Sequence, residues 1–246
     1  QAQLQALVDN VNARLLGIIS QYAQANSGTA PTVADFARAG ISGVDSSNLA
    51  AINSAINAQP GTDTTVGNAN DRDAADTTAE VQAIVNAYQA ILDEANGAGA
   101  DLSAQDPTVT QYAAIGVTGV DSAVKTSLLG DAIDGKAFAD VDTVAEVQAL
   151  ADAAAAVMSG AAGSTAPTQA QLAALGITGV TPANLAAVQA AIAATTDNGT
   201  GVDTLSELQT VVTNAVNAAA ATTAALDTIK AAAEANSATS GNLAAS

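Results

Sequence analysis

Two sets of carboxylates stand where they could do chemistry. The first lies in acidic, glycine-containing loops: Asp63, Asp71, Asp73 and Asp76; then Asp131, Asp134, Asp140 and Asp142; then Asp197, Asn198 and Asp203. Calcium takes about six to eight hard oxygens from carboxylates and carbonyls, and loops of this kind can wrap it. Asp63, Asp71, Asp73 and Asp76 are therefore the candidate calcium ligands, against the alternative of a solvated loop. The stretch "DNGTGVD" (197–203) offers similar groups but lacks the glutamate that closes an EF-hand loop. The second set is Glu80, Glu146 and Glu207. Each follows a threonine by three residues, which is the spacing of a helix capping box, so these acids read as caps and not as a catalytic ladder.

Other chemistry is limited by what is missing. The chain has no Cys and no His, which removes disulfides, thiolate sites, the commonest general base and the commonest zinc ligand. No paired carboxylates stand out, no phosphate loop or serine elbow is present, and aromatics make up only 2%. Asn198-Gly-Thr200 is a lone glycosylation sequon. The expected protein is not an enzyme and has no cofactor beyond the candidate calcium. Six basic residues against 24 acidic ones give a net charge of −18, which repels nucleic acid and anionic lipid. No apolar run approaches the ~20 residues that span a bilayer, so membrane insertion is not expected.

The elements that place these groups come from a repeat. Three segments align: "APTVADFARAGISGVDSSNLAAINSAI" (30–56), "DPTVTQYAAIGVTGVDSAVKTSLLGDAI" (106–133) and "APTQAQLAALGITGVTPANLAAVQAAI" (166–192). Each is followed by a second phrase, "DTTAEVQAIV", "DTVAEVQALA" or "DTLSELQTVV". The period is about 60 residues, with an insertion near 61–76 in the first copy. Pro31, Pro107 and Pro167 suit the first turn of a short helix. Gly40, Gly116 and Gly176 suit its left-handed stop, with Ile41, Val117 or Ile177 making the accompanying apolar contact. Gly43, Gly119 and Gly179 let the chain reverse. A middle helix is expected from Asp45, Asp121 or Thr181, with Pro182 at its first position. The Val and Thr of these turns leave β structure as the alternative. A third helix follows each capping box, with apolar stripes such as Val81, Ile84, Val85, Tyr88, Ile91 and Leu92. Tyr22, Phe36, Tyr88, Tyr112 and Phe138 read as core. In the second copy an extra residue lies between Val120 and Ile133, and Lys125 falls near the place of Leu49 and Leu185, so its middle helix is expected to be shifted.

The start of the chain fits the same pattern. "AQLQALV" (2–8) matches the second phrase, with Gln3 in the place of the glutamate. Residues 1–26 therefore read as the closing helix of a preceding repeat. Residues 27–97, 98–161 and 162–235 read as three repeats, the first with an acidic loop insertion, and 236–246 as a polar tail. The opening lacks Met and a basic leader, so the chain reads as a mature product or an excised piece. The leading stripe of Leu4, Leu7, Val8, Val11, Leu15, Ile18, Ile19 and Tyr22 has no first two helices of its own. It must be covered by the following repeat or by another chain, which makes these residues the candidate assembly surface.

A short helix, a Gly-Ile-Ser/Thr turn, an "NLAAINSAI" helix and a "TVAEVQAL" helix, in that order, resemble the GA modules of bacterial surface proteins. The resemblance is nearer still to GA-like tandem repeats of giant secreted adhesins and biofilm proteins. It implies an all-α fold of three-helix-bundle repeats stacked into an elongated rod. It also implies a structural role at the bacterial cell surface, as an adhesin stalk or a self-assembling filament, secreted and partnered by neighbouring repeats or further copies. Some GA modules bind serum albumin through aromatic and basic residues around the middle helix. Here that helix offers Asn48, Leu49 and Ile52, or Asn184, Leu185 and Val188, with no aromatic. Binding of a host protein or a matrix polysaccharide is the alternative function.

Overall fold

The computed structural model describes residues 3, 16–23, 29–59, 75, 77–95, 106–195 and 200–243. Among these there are helices, turns and connections but no strand. The helices are α1 (16–23), α2 (Val33–Arg38), α3 (Leu49–Asn57), α4 (Thr78–Glu94), α5 (Val109–Ala114), α6 (Ala123–Asp134), α7 (Val144–Ala161), α8 (Gln169–Ala174), α9 (Leu185–Ala193) and α10 (Leu205–Leu243). A 3₁₀ turn, Phe138–Asp140, precedes α7. The sequence of short, middle and long helix thus occurs three times. The chain divides into two compact units, one of 1–155 with 174–176 and the other of 156–173 with 177–246. In the first, α4 packs on α3, α5 and α6; in the second, α9 packs on α10.

The short helices are fixed at both ends by local chemistry. The prolines lie one position before the cap, not in the first turn as expected, because the following threonine takes the cap. The Thr32 hydroxyl accepts from Asp35 N–H, and Thr32 N–H donates to the Asp35 carboxylate at 2.9 Å. Thr108 with Gln111 and Thr168 with Gln171 repeat this exchange. The bonds from the Thr32 side chain and backbone hold the Asp35 carboxyl below the usual aspartate range. At the other end Gly40, Gly116 and Gly176 have φ of +80°, +90° and +91°. Ile41 N–H reaches Phe36 O at 3.0 Å, and Val117–Tyr112 and Ile177–Leu172 do the same. This bond from two residues past the cap is the Schellman stop, so the glycine reading holds.

The turn and middle helix depart from expectation in an orderly way. α3 and α9 begin at Leu49 and Leu185, four residues after Asp45 and Thr181, and Pro182 lies in the turn before α9. The reason is a side-chain-held turn. Asn48 Oδ1 accepts from Asp45 N–H at 2.9 Å, and Asn184 Oδ1 accepts from Thr181 N–H at 2.7 Å. The same asparagines donate Nδ2 to Gly43 O at 2.7 Å and Gly179 O at 2.9 Å. In the second copy this asparagine is missing. Lys125 Nζ instead reaches Gly119 O at 3.0 Å while pairing with Asp121 at 2.9 Å. With no turn to accommodate, α6 starts earlier, at Ala123, and runs 12 residues against 9 in α3 and α9.

The long helices open on the expected boxes. Thr77 with Glu80 and Thr143 with Glu146 exchange both bonds, and Glu207 N–H donates to Thr204 Oγ1 at 3.2 Å. Each good cap contributes roughly 0.5–2 kcal/mol. Their stripes are buried: Val81, Ile84, Val85, Tyr88, Ile91 and Leu92 in α4, and Val147, Leu150, Ala154 and Val157 in α7. Phe36, Tyr88 and Tyr112 are core as expected, but Tyr22 is half-buried and Phe138 is 36% exposed. α4 and α7 span 17 and 18 residues, whereas α10 spans 39 and takes in part of the segment expected to be a polar tail. Alanine is frequent in 217–235, just before that segment, and favours helix even without a packed face.

Candidate assembly surfaces

One glutamine in each long helix holds the glycine-flanked turn of its own repeat. Ser42 N–H donates to Gln82 Oε1 at 2.9 Å, and Gln82 Nε2 donates back to Ser42 O at 3.1 Å. Thr118 and Gln148 form the same pair at 2.8 and 3.1 Å, and Thr178 and Gln209 at 2.9 and 3.3 Å. The primary amide supplies one donor and one acceptor, as an opposing backbone strand would. The residue one helical turn on (Asn86, Asp152 or Thr213) takes the second amide hydrogen and orients the group. Gln148→Ala is expected to lower stability by about 1–2 kcal/mol, two neutral hydrogen bonds at the usual net value. Gln148→Glu is expected to do no better, because a carboxylate cannot donate to Thr118 O. Thermal unfolding of both variants checks this.

A second set of bonds joins consecutive repeats within the first compact unit. Gln59, just past α3, donates Nε2 to Ala114 O at 3.0 Å at the end of α5, while also bonding Ala55 O at 2.9 Å. A Cβ on Gly116 would sit 3.2 Å from Ala58 Cβ and 3.3 Å from Ala58 O, so the two chain segments approach closely there. Tyr88 OH donates to Val141 O at 3.0 Å in the core, and burial pushes its phenol well above the ordinary range. Ser54 Oγ accepts from Val144 N–H at 2.9 Å and so caps the start of α7. The position of Gln59 recurs as Lys136, which donates Nζ to Ala174 O at 2.6 Å. Ala174 stands in its short helix where Ala114 stands in α5.

The residues singled out in the sequence fall unevenly on this structure. Asp63, Asp71, Asp73 and Asp76 lie outside the described residues, as do Leu4, Leu7, Val8, Val11 and Leu15. Of the leading stripe, Ile19 is fully buried, Tyr22 half-buried and Ile18 42% exposed. Of the other acids, Asp140 accepts from Ala137 N–H at 3.1 Å. Burial, followed by the neighbouring Glu146 charge, raises the Asp142 pKa. Among the described residues no group of three or more acidic, His or Cys side chains is placed to hold a metal ion. Among them, too, no helix is long and apolar enough to cross a membrane.

Sequence reasoning missed Gln82, Gln148 and Gln209, and also Gln59 and Lys136. A signal for the first three was present. Gln follows the capping glutamate by two residues in all three phrases, "AEVQ", "AEVQ" and "SELQ". A polar residue repeated beside an apolar stripe points to a fixed partner. No protein-family model, curated protein or solved structure matches the chain.

Proposed function

We propose that the chain is a non-enzymatic structural protein of the bacterial cell exterior, in which tandem three-helix repeats stack into a rod that serves as a fibre or adhesin stalk. The observation that carries this reading is the repeated joint, Gln59 to Ala114 O and Lys136 to Ala174 O. The same two positions are used twice in succession, which is how a one-dimensional array is built from nearest-neighbour contacts. The acidic, Cys-free composition suits an exposed, crowded surface and an oxidising exterior. Self-assembly into a filament is the stronger form of the reading, with the leading stripe as one contact and calcium in the first acidic loop as the ion.

Negative-stain electron microscopy of the purified chain, with calcium and with chelator, tests it. Long uniform fibres make the chain a filament subunit, and their loss in chelator assigns calcium a part. Short separate rods in both conditions leave the stalk reading standing alone. Compact particles in both would overturn the array. Capture of a serum or matrix component would favour the host-binding alternative, for which Phe138 is the exposed aromatic among the described residues.

A further inference from the structure

The last part of α10 repeats the helix that opens the chain. Residues 16–27 read "LGIISQYAQANS" and residues 226–237 read "LDTIKAAAEANS". Leu16 matches Leu226, Ile19 matches Ile229, and Ala23 matches Ala233, followed in both by Ala, Asn and Ser at the same spacing. Their surroundings are opposite. Ile19 is 0% and Ala23 2% exposed, so the opening copy is seated in the first compact unit. Leu226 is 63% and Ile229 65% exposed, and Ala233 is exposed as well. The exposed pair continues a face that is buried nearer the start of the same helix. Leu226 lies 14 residues beyond Val212, and Ile229 lies 14 beyond Ala215, so both fall on the line of Leu208, Val212 and Ala215.

The third repeat also lacks the polar groups used at the joint between the first two. Thr195 stands where Gln59 and Lys136 stand, and its hydroxyl is turned back onto Ile192 O at 2.6 Å. Ala190 stands where Ser54 does. The apolar face of α10 is what remains for a contact beyond this repeat.

We propose that residues 226–237 are a docking element for a second copy of this chain, and that their seat is the one that residues 16–23 fill within a single chain. The inference rests on the self-assembly form of the function proposed above and names the surface that carries it. An element on α10 meeting a seat in the first compact unit of the next copy joins two different surfaces and is a heterologous contact. Where its rotation does not close a ring, such a contact propagates as a filament. The opening helix holds the seat at the high effective concentration of a tethered competitor, of millimolar order for a short link. Exchange is therefore slight in dilute solution and grows as chains are crowded. Loosening the opening helix lowers that threshold.

The experiment is light scattering coupled to size exclusion, from micromolar to near-millimolar protein, on four full-length chains. They are the parent, Ile19→Asp, Leu226→Asp with Ile229→Asp, and all three changes together. The parent is expected to run at 23.8 kDa when dilute and at multiples of it when concentrated. Ile19→Asp should form multiples at far lower concentration. The two chains carrying Leu226→Asp and Ile229→Asp should stay at 23.8 kDa throughout, and these two positions are exposed, so the fold is kept. Should Ile19→Asp fail to fold, hydrogen exchange on the concentrated parent replaces it, with protection expected at amides 226–237. Assembly that persists unchanged in the Leu226→Asp, Ile229→Asp chain overturns the docking element while sparing the filament. A parent that stays monomeric at every concentration overturns both, and leaves the stalk.

Discussion

Truncation of Tyr88 to alanine is expected to destabilise the first compact unit by about 3–5 kcal/mol, the range for removing a large buried aromatic. Tyr88 is fully buried and is among the largest side chains in the core. It lies on α4, the helix that packs on both its own repeat and the next. Tyr88→Phe separates the ring from the hydroxyl. It keeps the packing and removes the bond to Val141 O, leaving a buried carbonyl short of a partner, at a cost of about 1–3 kcal/mol. Tyr112→Phe should have the opposite sign. The Tyr112 hydroxyl is buried and has no hydrogen-bond partner among the described residues, and Phe36 fills the same place in the first repeat. Its removal is expected to be neutral or to stabilise by about 1 kcal/mol. Urea unfolding of the three variants measures all of this. Equal losses for both phenylalanine variants would refute the assignment of the Tyr88 bond.

Gly116→Ala is expected to cost about 2–4 kcal/mol, clearly more than Gly40→Ala or Gly176→Ala. All three glycines have positive φ, and an alanine there costs roughly 1–2 kcal/mol. Only Gly116 adds a steric term. Its Cβ would meet Ala58, whereas a Cβ on Gly40 or Gly176 meets nothing within 4 Å. Crowding of this kind adds about 1–3 kcal/mol. Gly135 occupies the place of Ala58 in the second repeat. Pairing Gly116→Ala with Ala58→Gly should recover the part of the excess due to the Ala58 methyl and leave the φ cost and the contact with the Ala58 carbonyl, in a cycle read by chemical denaturation. An excess that the pairing leaves wholly unchanged would place the strain elsewhere.

The parts of the fold visible in the sequence were those written within a few residues. Glycine stops, Thr-x-x-Glu boxes and apolar stripes are local chemistry, and the structure places them as read. Two local assignments moved. The prolines stand before the caps because Thr32, Thr108 and Thr168 take that role, and α3 and α9 start late because Asn48 and Asn184 hold a turn ahead of them. The clamps and joints were not visible because their partners are distant. Gln82 and Ser42 are 40 residues apart, and Gln59 and Ala114 are 55 apart. Lys125 looked like a charge in an apolar place; its amine reaches the carbonyl that asparagine satisfies in the other repeats. The candidate calcium aspartates and most of the leading stripe lie outside the described residues.

The Gln59 joint has a genetic corollary. The side chain that reaches and the carbonyl it reaches both lie within every early repeat, at fixed places in the period. Unequal recombination that duplicates or deletes one period therefore leaves a working contact on either side, and no new surface has to evolve. In the stalk proposed above, reach becomes a matter of copy number, while a side chain at the same position donates to the same carbonyl at each joint. The series has a direction, because Thr195 and Ala190 interrupt it: copying the first two repeats lengthens the array, and copying the third inserts a break in it.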